Sequence, residues 1–175
     1  WTVLRSGPDH RVQDKLGTQM RAVGEVMSIG RNYKEAFQKS IRSLEIGRHG
    51  LGFAKNFNSR TKEELLQMLV FPNSERQFVM YEALRKGVTI DELHEKTKIK
   101  RWFIQQMKEL VELEERILKH KGGLPPDDLL IQAKKDGFAD RYLARILGIK
   151  ESAVRERRTA LGIEENWRPV PVSGV

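Results

Sequence analysis

Four histidines, His10, His49, His94 and His120, are the side chains of this sequence best suited to holding a metal ion, and their spacing argues against it. Zinc needs ligands that converge on one point, and a helix offers two only when they stand three or four positions apart. None of the four has a partner at that spacing, so they read as packing or solvated residues. The chain has no cysteine, which removes disulfides, thiolate nucleophiles and cysteine metal sites. No serine lies within Gly-x-Ser-x-Gly, so a nucleophile elbow has no support. Gly50-Leu51-Gly52 lacks both the Gly-Lys-Ser/Thr ending and the strand-to-helix setting that would aim backbone N–H groups at a phosphate. Asp127 and Asp128 follow Pro125-Pro126, where acidic side chains meet the positive end of a helix dipole. They read as a helix start rather than as magnesium ligands. No residue is assigned a catalytic, cofactor-binding or metal-binding role.

A second chemistry is suggested by charge. The formal net charge is +8 and charged residues make up 32% of the chain, which raises nucleic acid as a partner. Residues 138–161 have the form of a helix-turn-helix, with a turn at Gly148-Ile149-Lys150 and Arg155, Arg157 and Arg158 on the would-be recognition helix. Against this, Lys and Arg are spread along the whole chain and interleaved with Asp and Glu. Glu151 and Glu156 on that helix would face phosphates and cost affinity, which rests on neutralising phosphate charge. A nucleic-acid-binding hairpin and a purely packing hairpin both fit the residues, and nucleic acid is the disfavoured partner.

The elements that carry these residues read as all-α. Residues 1–19 are irregular, and the mixed apolar and glycine segment 20–30 suggests a buried strand or loop. A helix opens at Asn32, with Glu35 three residues on, and Gly47 ends it. Gly47, Gly50 and Gly52 mark residues 47–58 as a linker. Thr61 with Glu64 and Thr89 with Glu92 are capping boxes. The longest helix runs from about Lys100 to His120, with Phe103, Met107, Leu110 and Ile117 on one stripe. Short helices are expected near 74–86, after Pro126, at 140–147 and at 151–161. No apolar run approaches the ~20 residues that span a bilayer, so no membrane partner is expected. The first residues have no apolar core of a signal peptide. Without an initiator Met, the chain reads as a piece of something longer. With cysteine absent, a cytoplasmic location is expected.

One internal repeat stands out. Gly87-Val88-Thr89-Ile90-Asp91-Glu92-Leu93 aligns with Gly137-Phe138-Ala139-Asp140-Arg141-Tyr142-Leu143 at an offset of 50, without gaps. The same offset pairs Ile99 with Ile149, Lys100 with Lys150, and Ile104 with Val154. Two related helical hairpins are expected, their apolar positions filling the angle between crossed helices.

Gly24-Glu25-Val26-Met27-Ser28-Ile29-Gly30-Arg31, followed by the helix at Asn32, resembles the segment that ends an ATP-grasp synthetase unit in the carbamoyl-phosphate synthetase large subunit. Arg101-Trp102-Phe103 with Glu109-Leu110-Val111-Glu112-Leu113-Glu114 is similar to a helix of that family's oligomerisation domain. So is Lys135-Asp136-Gly137-Phe138-Ala139-Asp140 with Leu143-Ala144. The resemblance covers roughly residues 16–163. It fails at residues 2–15 and in the tail, which lacks the Lys-x-Val-Asp-Thr-Cys pattern expected before the second unit.

The resemblance implies three divisions: residues 1–47 as the C-terminal edge of the first (carboxyphosphate) ATP-grasp unit, 48–164 as a helical oligomerisation domain, and 165–175 as a linker toward the second unit. It implies a parent ligase making carbamoyl phosphate from bicarbonate, glutamine-derived ammonia and two ATP, with Mg or Mn and K as cofactors and a small glutaminase subunit as partner. That parent would serve arginine or pyrimidine biosynthesis. The segment itself is expected to bind no cofactor and to be no enzyme alone. Its expected partners are further copies of itself and the two synthetase units of its own chain. Phe78, Tyr81, Trp102, Phe103 and Met107 are the candidate anchors, either of an interface or of the core, since buried aromatic and apolar side chains dominate both.

Overall fold

The structure, a computed structural model, describes residues 18, 26–44 and 46–164. The expectations for residues 1–17, for 19–25 and for the tail beyond 164 lie outside the described residues. Val26–Gly30 is irregular rather than a strand, and no strand occurs among the described residues. Eight α-helices are present there: α1 Tyr33–Ser43, α2 Lys62–Met68, α3 Arg76–Arg85, α4 Ile90–Thr97, α5 Arg101–Leu118, α6 Asp127–Lys135, α7 Asp140–Leu147 and α8 Glu151–Ala160.

Local chemistry sets the starts. Asn32 Oδ1 accepts the Glu35 N–H at 2.9 Å, while Glu35 reaches back to the Arg31 N–H at 2.7 Å. Thr61 with Glu64 and Thr89 with Glu92 form complete capping boxes, each satisfying two N–H groups that would otherwise be orphaned. Asp127 and Asp128 occupy the first turn of α6, directly after Pro126. α1 stops at Ser43, before the expected Gly47, with Leu44 as its C-cap.

The repeat is longer than the sequence suggests. It holds three helices per unit, α3–α5 and α6–α8, rather than two. At the end of α3 the Val88 N–H bonds Ala83 O at 3.0 Å and the Gly87 N–H bonds Leu84 O at 3.0 Å. Fifty residues on, Phe138 bonds Ala133 at 3.0 Å and Gly137 bonds Lys134 at 3.2 Å. Each is a Schellman cap, and Gly87 (φ +83°) and Gly137 (φ +91°) supply the left-handed residue it needs. Leu93, Ile104, Leu143 and Val154 all have zero exposure, plugging equivalent crossings in the two units.

α5 is the central post, packed by α1, α3, α4 and α7. Ile104, Met107, Leu110, Val111, Leu113 and Ile117 recur at helical spacing on its buried side. Each such side chain contributes roughly 1.5–3 kcal/mol by leaving water. Phe37 and Ile41 of α1 belong to this same core. α1 also holds the α6–α7 connection: Gln38 Nε2 donates to Asp136 O at 2.8 Å and Asn32 Nδ2 to Lys135 O at 3.3 Å.

The glycine-containing passage after α1 is not the free linker expected of it. Leu51, Ala54 and Phe57 are buried in the core. A Cβ on Gly50 would lie 2.6 Å from the Tyr142 ring, so glycine is required there by contact. Here the glycines allow close approach of backbone to side chain, where the sequence suggested a linker.

Candidate association surface

The five candidate anchors separate by position on their helices. Phe78, Tyr81 and Met107 are 4%, 1% and 6% exposed and fill the core of this chain. Phe103 is half-buried, and Trp102 is 54% exposed. One residue advances a helix by about 100°, so Trp102 and Phe103 point to different sides of α5.

Trp102 stands in a cluster of four rings built by the start of α5 and the start of α1. Its centroid lies 5.0 Å from Phe103 and 5.2 Å from Tyr33, both edge-on, and Tyr33 lies 5.3 Å from Phe103 and stacks on Phe37 at 5.5 Å. Such pairs are worth about 0.5–1.5 kcal/mol each beyond the area they bury. Burial pushes the Tyr33 hydroxyl up to about 12. Sequence reasoning passed over Tyr33 as an anchor, although its spacing from Phe37 placed both on one face. The rim is charged and internally paired: Arg101 Nε bonds Asp91 at 2.6 Å, and Lys34 pairs with Glu109. An apolar centre with a paired polar rim is the anatomy of a protein interface.

Deeper along α5, Glu114 is fully buried and accepts from the Tyr81 and Tyr142 hydroxyls and from Arg85 Nη2 at 2.7 Å. Desolvation, with the Glu114 carboxylate beside both rings, holds Tyr81 and Tyr142 well above the ordinary tyrosine value. Arg85 also lies 4.5 Å over the Phe53 ring. Its Nε makes no hydrogen bond, with Glu115 at 3.5 Å and Glu82 at 3.8 Å as ionic neighbours. The arrangement compensates a buried carboxylate with three donors.

Of the four histidines, His10 lies outside the described residues, His120 is exposed and His49 is half-buried. His94 Nδ1 lies 2.7 Å from Ile99 O in the α4–α5 turn. No group of three His, Asp or Glu among the described residues is placed to hold a metal. Gly50 and Gly52 are closed against Tyr142, which leaves no cradle for a phosphate. Asp127 takes a two-pronged bond from Arg157, at 2.8 Å to Nε and 2.5 Å to Nη2. Arg158 is half-buried on Asp140 at 2.9 Å and Ile163 O at 2.8 Å, and Arg155 bonds Glu151 at 3.0 Å. Arg155, Arg157 and Arg158 each pair with a carboxylate of this chain, and only Arg158 is withdrawn from solvent, so the helix presents mixed charge and gives the nucleic-acid reading no support. Among the described residues, no helix is long and apolar enough to cross a membrane.

Two related three-helix units around a shared post, with a half-open aromatic patch at one end of that post, make an all-α packing module. Its kinship is specific. The chain belongs to the family described as carbamoyl-phosphate synthetase large chain, oligomerisation domain, whose sequence profile matches residues 25–162. It is 43% identical over 159 residues to the carbamoyl phosphate synthase large chain of Archaeoglobus fulgidus, covering 89% of this chain and 15% of that one. The corresponding N-terminal section from Aquifex aeolicus is 44% identical over 155 residues, covering 89% of this chain and 27% of the relative. The arginine-specific, chloroplastic large chain of Arabidopsis thaliana is 37% identical over 159 residues, with 90% and 13% covered. The chain thus spans a small part of the relatives it matches.

Proposed function

We propose that this chain self-associates through the Trp102-centred face and serves as the oligomerisation element of a longer carbamoyl-phosphate synthase large chain. In that reading residues 1–47 are the C-terminal edge of the first ATP-grasp synthetase unit, 48–164 the helical domain and 165–175 the path toward the second unit. The parent is a cytoplasmic enzyme of arginine or pyrimidine synthesis. It uses ATP with Mg or Mn and K, and takes ammonia from a small glutaminase subunit. The relatives' printed names support a carbamoyl phosphate synthase parent, and the resemblance of residues 24–31 supports an ATP-grasp unit before the helical domain. The side chains described above do none of the parent's bond-making and instead hold helices in register.

One observation carries the association surface: Trp102 remains 54% exposed while its neighbours Tyr33 and Phe103 are largely withdrawn from solvent. A tryptophan anchored by rings on one side and open on the other loses little conformational freedom when a second copy covers it. Sedimentation velocity over a wide concentration range tests this. The native chain sediments as a dimer or larger species at high concentration. Trp102→Ala weakens association by about 2 kcal/mol or more, roughly thirtyfold in dissociation constant. A native chain that stays monomeric at every concentration refutes the proposal.

A further inference from the structure

The segment from Ile46 to Phe57 runs across the bundle with no helix of its own until the short 3-10 turn Phe57–Ser59, yet it is fastened at many points. The Gly52 N–H donates to the Tyr142 hydroxyl at 3.1 Å, and that hydroxyl donates to Glu114. The Phe53 ring lies under Arg85 at 4.5 Å, Arg48 lies over Phe78 at 5.5 Å, and Lys55 pairs with Glu75 at 2.6 Å. Two of its residues are held in a conformation that L side chains rarely adopt, Phe53 at φ +55° and Lys55 at φ +46°. A non-glycine residue persists there only when its surroundings impose it. The groups beside the segment come from α3 and its N-cap (Arg85, Glu75), α5 (Glu114) and α7 (Tyr142), and so from both repeat units.

We propose that Tyr142 and Glu114 form a latch that holds residues 46–57 as a closed strap across the junction of the two units, and that undoing the latch opens the strap as one piece while the helices stay folded. The strap is part of the covalent path between α1 and α2, so the latch fixes how that path lies on the hairpins. The left-handed backbone of Phe53 and Lys55 favours opening once the latch is gone. Gly50 and Gly52 let the strap lie directly on Tyr142, since a Cβ on Gly50 would come within 2.6 Å of the ring and one on Gly52 within 2.5 Å of the hydroxyl.

The test compares the native 175-residue chain with Tyr142→Phe and, as a control for stability, Val154→Ala, which removes packing volume between α7 and α8 without touching the latch hydrogen bonds. Two readouts avoid the trivial loss of the Gly52 acceptor. They are exchange of the Phe57 amide, bonded to Ala54 O at 3.2 Å, and tryptic cleavage after Lys55. At matched global stability, Tyr142→Phe speeds both by about tenfold over Val154→Ala, the size expected for one lost hydrogen bond, while α5 amides keep their protection. Equal rates in the two variants overturn the latch. So does loss of α5 protection together with the strap, which would make the segment part of one cooperative unit. Should Tyr142→Phe not fold, Gly52→Ala, whose Cβ would fall 2.5 Å from the Tyr142 hydroxyl, takes its place, and failure of both to fold also overturns a separable latch.

Discussion

Replacing Glu114 with glutamine keeps the shape of the side chain and one carbonyl acceptor, but removes the charge that faces Arg85 at 2.7 Å. Neutralising one partner of a buried ion pair costs about 3–5 kcal/mol, because the other charge stays desolvated and unpaired. Here Arg85 retains Glu115 at 3.5 Å and Glu82 at 3.8 Å, and its side chain is 12% exposed. The expected loss is therefore somewhat smaller, about 2–4 kcal/mol. For a chain of this size that corresponds to a fall in Tm of roughly 4–16 °C. Urea unfolding followed by far-ultraviolet circular dichroism measures it. Adding Arg85→Met in the same chain should recover about 1–3 kcal/mol relative to the sum of the single losses, since the orphaned cation is removed with its partner. A loss for Glu114→Gln below about 1 kcal/mol, the worth of a solvated surface pair, would refute the reasoning.

Two further outcomes follow from the same geometry. All three tyrosines of the chain have hydroxyls held above the ordinary value of 10.0: Tyr81 and Tyr142 well above it and Tyr33 at about 12. A raised folded-state value means that stability is intact below 10.0 and is lost as pH climbs, because only the unfolded chain releases those protons. Tyr81 and Tyr142 together should give a slope of about 2.7 kcal/mol per pH unit above 10. Tyrosinate absorbance then rises together with loss of helix, and a tyrosine that ionises near 10 in the folded chain would contradict the node. Gly87 and Gly137 occupy equivalent Schellman positions, but a Cβ on Gly87 meets nothing within 4 Å while one on Gly137 lies 2.8 Å from Glu35 Cα. Gly87→Ala should cost about 1–2 kcal/mol of backbone strain. Gly137→Ala should cost about 1–3 kcal/mol more, as overpacking against α1 is added, and equal losses in chemical denaturation would contradict the docking of α1 on that turn.

Much of the architecture was legible because it is written in local chemistry. The boxes at Thr61 and Thr89, the Asn32 cap and the proline-led start of α6 each act within four residues, so spacing alone identifies them. The offset of 50 pointed to related units, yet α3 and α6 were not recognised as their first members. Their shared alanines, Ala83 and Ala133, are too common a residue to signal equivalence. Gly50 and Gly52 were misread because glycine serves both a free turn and a close contact, and only Tyr142, ninety residues on, distinguishes the two. Glu114 lies in a run of acidic residues that resembles a solvated face. Its spacing from Leu110, Val111 and Met107 was the available sign that it belongs to the buried stripe. For the candidate surface, composition favoured aromatic residues, but which of two adjacent rings faces outward depends on how α5 is rotated against α1. That rotation is set chiefly by the apolar stripe of α5 from Ile104 to Ile117, packed against α3 and α4.

The emission of Trp102 tests the central claim most directly. The chain has three tryptophans, so Trp1→Phe with Trp167→Phe leaves Trp102 as the single reporter. With the ring half open to water, its emission should shift to the blue as concentration rises, with the same midpoint that sedimentation gives for assembly. Emission that stays constant while the chain assembles would mean that copies meet on another face.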